Sequence, residues 1–245
     1  MSRSALIFIV IFCLLFQVSI AQKLSPSEKS FIKIKQKPGI QSTTLSNDFK
    51  NKYPVMISFP NVSNKKYRLI IALHWAGGGD TYKTFFECLA LPGLDDEETI
   101  IVSPEGQNQL WNTGNNINKV KNLVGNAIKY WNVDANKIAV TGYSNGGNGS
   151  WYFAEHYPEL FSAAIPMASS YPINKKLNTP LYVIHGGKDE LFSVTKTSEW
   201  VEKTKEAGSN IRYIIIEEHS HFQGCSYVPE LKKAQKWLQN LWKEE

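Results

Sequence analysis

Short apolar segments alternate with segments of helical spacing from Tyr67 to the end of the chain. The apolar runs fit buried strands at residues 69–73, 99–102, 138–141, 163–167, 181–184 and 211–216. Helical spacing follows most of them, at residues 82–91, 120–131, 144–157, 195–207 and 229–242. Strands that alternate with helices of this length are joined by crossovers, which makes them parallel. The sequence therefore predicts an α/β fold, with a mostly parallel central sheet flanked by helices.

The composition fits one such domain, because the 245 residues are 42% hydrophobic and only 20% charged. Residues 1–21 predict a signal peptide, with Arg3 before an apolar stretch and a small-residue cleavage site at Ser19 and Ala21. Residues 22–60 are polar and predict an N-terminal arm with one or two edge strands, and residues 61–245 predict the main α/β domain.

The signal peptide implies a secreted or periplasmic protein. We expect no stable membrane association after cleavage, because the apolar run is shorter than the ~20 residues that span a bilayer; an uncleaved anchor is the alternative. The net charge of +5 comes from scattered lysines without an aromatic-interleaved basic stripe, so no nucleic-acid partner is expected. Cys88 and Cys225 could form a disulfide in an exported protein, although the sequence does not show that they meet.

A glycine-rich turn between a predicted strand and a predicted helix carries the main functional signal. Residues 139–151 read AVTGYSNGGNGSW, which lacks the spacing of a phosphate-binding or dinucleotide-binding loop. The pattern G-x-S-x-G does fit, with Ser144 between Gly142 and Gly146. It predicts a serine nucleophile on a sharp bend at the start of a helix, with a purely structural turn as the alternative.

A serine of this kind needs an acid and then a histidine after later strands. Asp189 follows the apolar run at 181–184 and is the predicted acid, with Glu190 as the alternative. His221 is the predicted base, because a small residue before it and an aromatic after it suit a loop that turns back over the site; His219 is the alternative. The two histidines have no third ligand nearby in the sequence, so no metal is predicted.

An anionic intermediate needs backbone N–H groups around its oxygen. The predicted donors are Asn145, directly after the nucleophile, and Ala76 in the loop IIALHWAGGGD at residues 70–80, with Trp75 as the alternative. Tyr143 and Trp111 are the predicted substrate-binding residues. Trp111 lies in a loop after the strand at 99–102, where it could form a platform for an acyl or sugar group or pack in the core.

Several motifs together resemble the α/β-hydrolase superfamily. They are HWAGG at 74–78, VDANKIAVTGYSNGG at 133–147, VIHGGKD at 183–189 and SHF at 220–222. The chain looks most like the secreted esterases grouped with polyhydroxybutyrate depolymerases, feruloyl and acetyl-xylan esterases, and the neighbouring phospholipase/carboxylesterase and dienelactone hydrolase groups. The resemblance implies a Ser–His–Asp hydrolase without metal or organic cofactor. Trp75 departs from it, because most relatives have glycine there.

The sequence thus predicts an exported serine hydrolase that cleaves small-molecule or carbohydrate esters, including acetyl or feruloyl esters. A serine peptidase or lipase with the same three residues is one alternative, since peptide and ester hydrolysis share this chemistry. A non-catalytic exported binding protein of the same fold is the other. Oligomeric state does not follow from the residues.

Overall fold

The computed structural model describes residues 23–61 and 66–243. The predicted signal peptide, residues 1–21, lies outside these described residues. Within the two described ranges, no helix combines the length and the apolar character that crossing a lipid bilayer requires.

One eight-stranded sheet organises the described part of the chain. In chain order the strands are β1 (Gly39–Ser46), β2 (Lys52–Phe59), β3 (Tyr67–Leu73), β4 (Thr99–Pro104), β5 (Val133–Tyr143), β6 (Ala163–Met167), β7 (Leu181–Lys188) and β8 (Ile211–Ser220). Their spatial order is β1-β2-β4-β3-β5-β6-β7-β8. Strands β3 to β8 pair in parallel, whereas β1 and β2 pair antiparallel. The predicted α/β fold with a mostly parallel sheet is confirmed.

Helices cover both faces of the sheet, because its central strands are apolar on both sides. They are α1 (Pro26–Phe31), α2 (Thr81–Phe85), α3 (Leu91–Leu94), α4 (Gly114–Tyr130), α5 (Asn145–His156), α6 (Val194–Glu206) and α7 (Val228–Leu241). A π-helical segment (Phe86–Ala90) joins α2 to α3, and a 3-10 turn (Gly224–Tyr227) precedes α7. In β3, Leu69 and Ile71 join the core beneath α1, α4, α5 and α6, while Ile70 and Ala72 join the core beneath α2, α3 and α7.

The N-terminal segment packs against the rest of the molecule. Phe31 of α1 is 2% exposed, and its ring stacks on Trp131 with a centroid distance of 4.2 Å. Strand β2 continues the main sheet by pairing with β4. The boundary predicted at residue 60, between the N-terminal arm and the main domain, stays a prediction. In the structure, the strands before and after this residue belong to one continuous sheet.

The turn between β5 and α5 brings three backbone segments close together. Ser144 in this turn has a φ of 57° and a ψ of −117°, a backbone conformation that residues other than glycine rarely adopt. A Cβ on Gly142 would lie 2.2 Å from the Gly146 carbonyl oxygen, and a Cβ on Gly146 would lie 1.8 Å from the Leu73 carbonyl oxygen. The two glycines therefore permit the close approach of β3, β5 and α5 that holds Ser144 in this conformation.

A disulfide joins Cys88 in the π-helical segment to Cys225 in the 3-10 turn, across 137 positions of sequence. The bond ties the loop after β8 to the helices that follow β3. It therefore fixes one side of the sheet edge at which β5, β7 and β8 end.

Removal of this cross-link should destabilise the protein. The double variant Cys88→Ala/Cys225→Ala is expected to lose about 2–5 kcal/mol in the free energy of unfolding, because a bond that closes so long a loop restricts the unfolded chain. Urea unfolding of the oxidised wild type and of the double variant measures the difference. Equal stabilities, or alkylation of both thiols in the native protein without reductant, would contradict the expectation.

Gly146 and Gly125 form a matched pair for testing the turn. Gly146→Ala is expected to lower the free energy of unfolding by about 3 kcal/mol or more, because the added Cβ would overlap the Leu73 carbonyl. In Gly125→Ala the added Cβ meets nothing within 4 Å. Because Gly125 lies inside α4, this change should raise stability by about 0.5–1 kcal/mol. Urea unfolding that ranks the two variants equally would show that the close approach is not required.

Candidate active site

Ser144, His221 and Asp189 come together at the edge where β5, β7 and β8 end. The Ser144 hydroxyl oxygen lies 2.9 Å from Nε2 of His221, and Nδ1 of His221 lies 2.9 Å from Oδ2 of Asp189. Because a carboxylate only accepts hydrogen bonds, Nδ1 carries the proton in this contact. Nε2 is then free to accept the Ser144 proton, which is the arrangement that activates a hydroxyl as a nucleophile.

Asp189 is held as a carboxylate by its surroundings. Its side chain is fully buried, and Oδ1 accepts hydrogen bonds from the backbone N–H groups of Leu191 and Phe192 at 2.9 and 2.7 Å. Burial alone would raise the pKa of Asp189, but the hydrogen bonds from His221 and Phe192 outweigh it, so the pKa lies below its usual value. The acid therefore stays charged and can stabilise a protonated His221.

His185 of β7 lies beside Asp189, a neighbour that sequence reasoning missed. Its Nε2–H donates to the Phe192 carbonyl at 2.8 Å and lies 3.7 Å from Oδ2 of Asp189. Burial lowers the pKa of His185, so the ring is neutral. A histidine inside an apolar run is usually an ordinary core residue, and the sequence offers no signal that distinguishes this one.

The alternative residues from the sequence lie close by but in other contacts. His219 is partly exposed, and its Nε2 lies 3.3 Å from the Ser226 carbonyl oxygen. Glu190 does not reach the His221 ring; its Oε2 accepts the His221 backbone N–H at 2.9 Å. Of the two histidines and two acids, the structure brings His221 and Asp189 into line with Ser144.

Tyr143 holds the His221 loop. Its hydroxyl donates to the His221 carbonyl oxygen at 2.7 Å, and the residue is only 2% exposed. Burial raises the pKa of Tyr143 far above its usual value, so the hydroxyl keeps its proton and remains a donor. Tyr143 lines the cavity beside Ser144, while its hydroxyl is used on the loop that carries the histidine, so its substrate-binding role stays a prediction.

The loop after β3 carries the two predicted N–H donors, Ala76 and its alternative Trp75. His74 Nε2 accepts the Gly106 N–H at 2.8 Å, so the His74 proton is on Nδ1, which donates to the Trp75 carbonyl oxygen at 2.6 Å. Burial lowers the pKa of His74 to about 4, so this neutral form persists at ordinary pH. The contact fixes the peptide group between Trp75 and Ala76. Asn145, the other predicted donor, begins α5, where a backbone N–H has no partner within the helix.

Trp111 packs in the core, which is one of the two environments expected for it, and its role as a substrate platform stays a prediction. The residue is 1% exposed, and its Nε1–H donates to the His74 carbonyl oxygen at 3.0 Å. A Cβ on Gly149 would lie 2.6 Å from the Trp111 side chain, so α5 packs directly against it. The ring supports the loop after β3, and Trp111 also lines a small cavity formed by the loop after β4, the first turn of α5 and the loop after β6.

A cavity of about 610 Å³ opens beside Ser144. Its walls are formed by Trp75, Ala76, Tyr143, Ser144, Leu191, His221 and residues 222–226. The Trp75 ring packs edge-on against Phe85 and Tyr143, with centroid distances of 5.4 and 5.9 Å. Leu191 and Phe222 are 58% and 75% exposed. The volume suits a small-molecule substrate, and most of the lining is apolar.

No group of three or more metal-ligating side chains lies together within residues 23–61 and 66–243.

Comparisons with known proteins point to one family. The dienelactone hydrolase family model matches residues 102–238, more than half of the chain. The acetylxylan esterase of Coprinopsis cinerea is 31% identical over 139 residues, which cover 50% of this chain and 36% of that protein. A probable acetylxylan esterase A of Aspergillus clavatus is 25% identical over 165 residues, which cover 62% of this chain and 53% of that protein. The chain thus matches between a third and about half of the length of these two relatives.

Solved structures agree on the fold. A thermostable esterase superposes with a TM-score of 0.69 at 23% identity, covering 82% of this chain and 62% of that one. A ferulic acid esterase superposes with a TM-score of 0.63 at 15% identity, covering 82% of this chain and 97% of that one. The resemblance seen in the sequence is confirmed, and the chain belongs to the dienelactone hydrolase family of the α/β-hydrolase superfamily.

Proposed function

We propose that this protein is a serine hydrolase that cleaves carboxylic esters, with Ser144 as nucleophile, His221 as base and Asp189 as orienting acid. The observation that carries the proposal is the unbroken line of contacts from Ser144 through His221 to Asp189, both of 2.9 Å. The strained turn supports it, because it presents the serine oxygen at the wall of an open cavity.

The proposed reaction has two acyl-transfer steps. His221 Nε2 takes the Ser144 proton as the serine oxygen attacks the ester carbonyl carbon. The bond to the alcohol then breaks, and His221 gives its proton to the leaving oxygen, which leaves an acyl group on Ser144. Water repeats the attack and releases the acid. Asp189 accepts the hydrogen bond from Nδ1–H of His221 throughout and stabilises the imidazolium.

Two backbone N–H groups are proposed to hold the oxyanion. Asn145 begins α5, so its N–H is free and lies at the positive end of the helix dipole. Ala76 lines the cavity, and the contact between His74 and the Trp75 carbonyl orients the peptide that carries its N–H. Donors fixed in advance stabilise developing charge without reorganisation, and each is typically worth about 3 kcal/mol of barrier.

The relatives support esters as the substrate class, and carbohydrate-linked esters within it. Curated relatives are described as acetylxylan esterases, and one structural neighbour is described as a ferulic acid esterase. We therefore extend the proposal to carbohydrate-linked acetyl or feruloyl esters. Export to a secreted or periplasmic location is proposed on the signal-peptide pattern at residues 1–21 and on the disulfide, because such bonds persist in oxidising compartments.

Release of p-nitrophenol from acetyl and butyryl esters tests the assignments. Ser144→Ala and His221→Ala are each expected to lower kcat by at least about 10⁴-fold, because both remove the activated nucleophile. His219→Ala is the matched control and should retain activity, because its ring does not contact Ser144. A fluorophosphonate should label the wild type at Ser144 but should not label Ser144→Ala.

Other outcomes would support a different base or a different class of protein. Loss of activity in His219→Ala with activity retained in His221→Ala would reverse the choice of base. Faster cleavage of peptide anilides than of esters would favour a peptidase. A wild type that neither turns over esters nor reacts with the fluorophosphonate would favour a non-catalytic binding protein.

Tyr143→Phe tests whether the hydroxyl positions the base. The change removes one hydrogen bond to the His221 carbonyl, and we expect kcat to fall roughly tenfold with little change in KM, since about 1.4 kcal/mol of alignment is lost. Tyr182→Phe is the control, because the buried Tyr182 hydroxyl has no hydrogen-bond partner in the described part of the chain. Steady-state kinetics in which Tyr143→Phe matches Tyr182→Phe would exclude a positioning role.

A further inference from the structure

A second cavity lies beside Asn145, the residue after Ser144, and on the other face of the sheet from the first. It has a volume of about 190 Å³ and is formed by the loop after β4, the first turn of α5 and the loop after β6. Trp75 and Tyr143 of the first cavity pack with the core beneath α2, α3 and α7, whereas Trp111 and Tyr171 pack with the opposite core. We call the second cavity the asparagine groove. Its polar lining residues are Asn112, Asn145, Asn148, Ser170 and Tyr171, and the rest of its wall is formed by Leu110, Trp111, Gly149 and Pro172.

We infer that the asparagine groove binds the hydroxyl-bearing part of the ester, in the form of a neutral sugar ring or a similar polyol. The inference rests on the proposed function, in which Ser144 attacks the ester. Ser144 lines the first cavity, and the next residue, Asn145, lines the groove. In this assignment, a substrate with its carbonyl carbon at the Ser144 oxygen has one end in the first cavity and the other end in the groove beside Asn145.

The two cavities differ in the chemistry of their walls. The first is built mainly from aromatic and aliphatic side chains, which suit the hydrocarbon part of a substrate. The groove presents three side-chain amides, and each amide offers both donors and an acceptor. Neighbouring hydroxyl groups on a sugar also donate and accept, so they match such amides with few polar groups left unpaired.

Two of these amides have polar groups without a hydrogen-bond partner in the part of the chain that the structure describes. Asn148 Oδ1 is buried and has no hydrogen-bond partner in the described residues. The Asn112 side chain is exposed on its loop and makes no hydrogen bond within the described ranges. An unpaired buried acceptor is unfavourable, so a small rotation that brings Asn148 onto a ligand hydroxyl would be favoured. Asn145 differs, because its Nδ2 already donates to the Gln109 carbonyl oxygen at 3.2 Å.

Charge and size narrow the class of ligand. None of the described side chains that line the groove is charged, so nothing there would pair with a sugar acid or a phosphate. The volume is below the roughly 300 Å³ at which sites for drug-sized ligands begin. The groove therefore fits one small neutral ring, with any longer chain left outside in solvent.

Tyr171 gives the groove one rigid aromatic wall. Its ring lies nearly parallel to that of Trp151, with an interplanar angle of 5° and a centroid distance of 6.3 Å, and its hydroxyl donates to Glu155 at 2.7 Å. The hydroxyl is thus occupied, and the ring face is the part left for a ligand. The C–H face of a sugar ring is apolar and can pack on such a surface.

Two esters with the same acetyl group test the assignment. One is p-nitrophenyl acetate and the other is a mono-acetylated methyl β-xyloside. Asn148→Leu and Asn112→Ala are each expected to lower kcat/KM for the sugar ester by about fivefold to tenfold, the value of one hydrogen bond, and to leave kcat/KM for p-nitrophenyl acetate unchanged. Asn136→Ala is the control, because Asn136 is exposed and lines a different cavity.

A binding measurement separates this inference from the proposed function. Calorimetric titration of the Ser144→Ala variant with methyl β-xyloside should show binding that Asn148→Leu weakens by about tenfold, whether or not the wild type is an esterase. A methyl glucuronide should bind more weakly than the neutral xyloside. Xyloside binding that is absent or is insensitive to both asparagine changes would overturn the groove assignment. So would an equal loss on both esters in Asn112→Ala, which changes only an exposed loop residue.

Discussion

The close approach of β3, β5 and α5 is the constraint around which the site is built. Because Gly142 and Gly146 have no side chains, the turn between them can bring α5 against the Leu73 carbonyl. Ser144 is held there in a conformation that costs on the order of 1–3 kcal/mol. Backbone hydrogen bonds secure it on both sides: its N–H donates to the Met167 carbonyl oxygen at 3.0 Å, and its carbonyl oxygen accepts from Asn148 at 2.9 Å. The position of the serine oxygen is therefore set by the sheet, and the other groups are placed relative to it.

A second set of contacts runs from α4 to the loop after β3. Lys119 is buried in α4, donates to the Glu105 carbonyl oxygen and to Asn116 Oδ1, and lies 4.8 Å over the Tyr53 ring. Burial lowers its pKa to about 8. This cation fixes the backbone before Gly106, whose N–H donates to His74, and His74 in turn holds the Trp75 carbonyl. A buried charge far along the chain thus helps to orient the Ala76 N–H, because each of these contacts fixes the next.

The sequence led to Ser144, Asp189 and His221 as the proposed nucleophile, acid and base because each directly follows a strand, and the carboxyl ends of parallel strands meet at one edge of the sheet. It could not decide between His219 and His221 from periodicity, since residues two apart lie on the same face of a strand. The outcome depends on where β8 ends, at Ser220, which places His221 in the turn. It could not separate a ligand platform from a core residue for Trp111, because the environment of a loop tryptophan is set by partners distant in sequence. The start of α4 was missed as well, since its first turns are polar and have no apolar spacing.

Proton transfer and substrate recognition, which we assign to opposite sides of Ser144, have different physical requirements. Proton transfer requires a base held to within a fraction of an ångström. The His221 ring is bound by Asp189, its backbone N–H donates to Glu190, and its carbonyl oxygen accepts from Tyr143. The disulfide holds the loop that follows. Recognition requires polar groups that remain unpaired until the substrate arrives, and Asn148 on the opposite side meets that condition. Because the two sets of contacts lie on opposite faces of the sheet, residues of the groove can change without disturbing the base. The proposed chemistry can thus stay fixed while the groove, and with it the part of the substrate proposed to bind there, is altered.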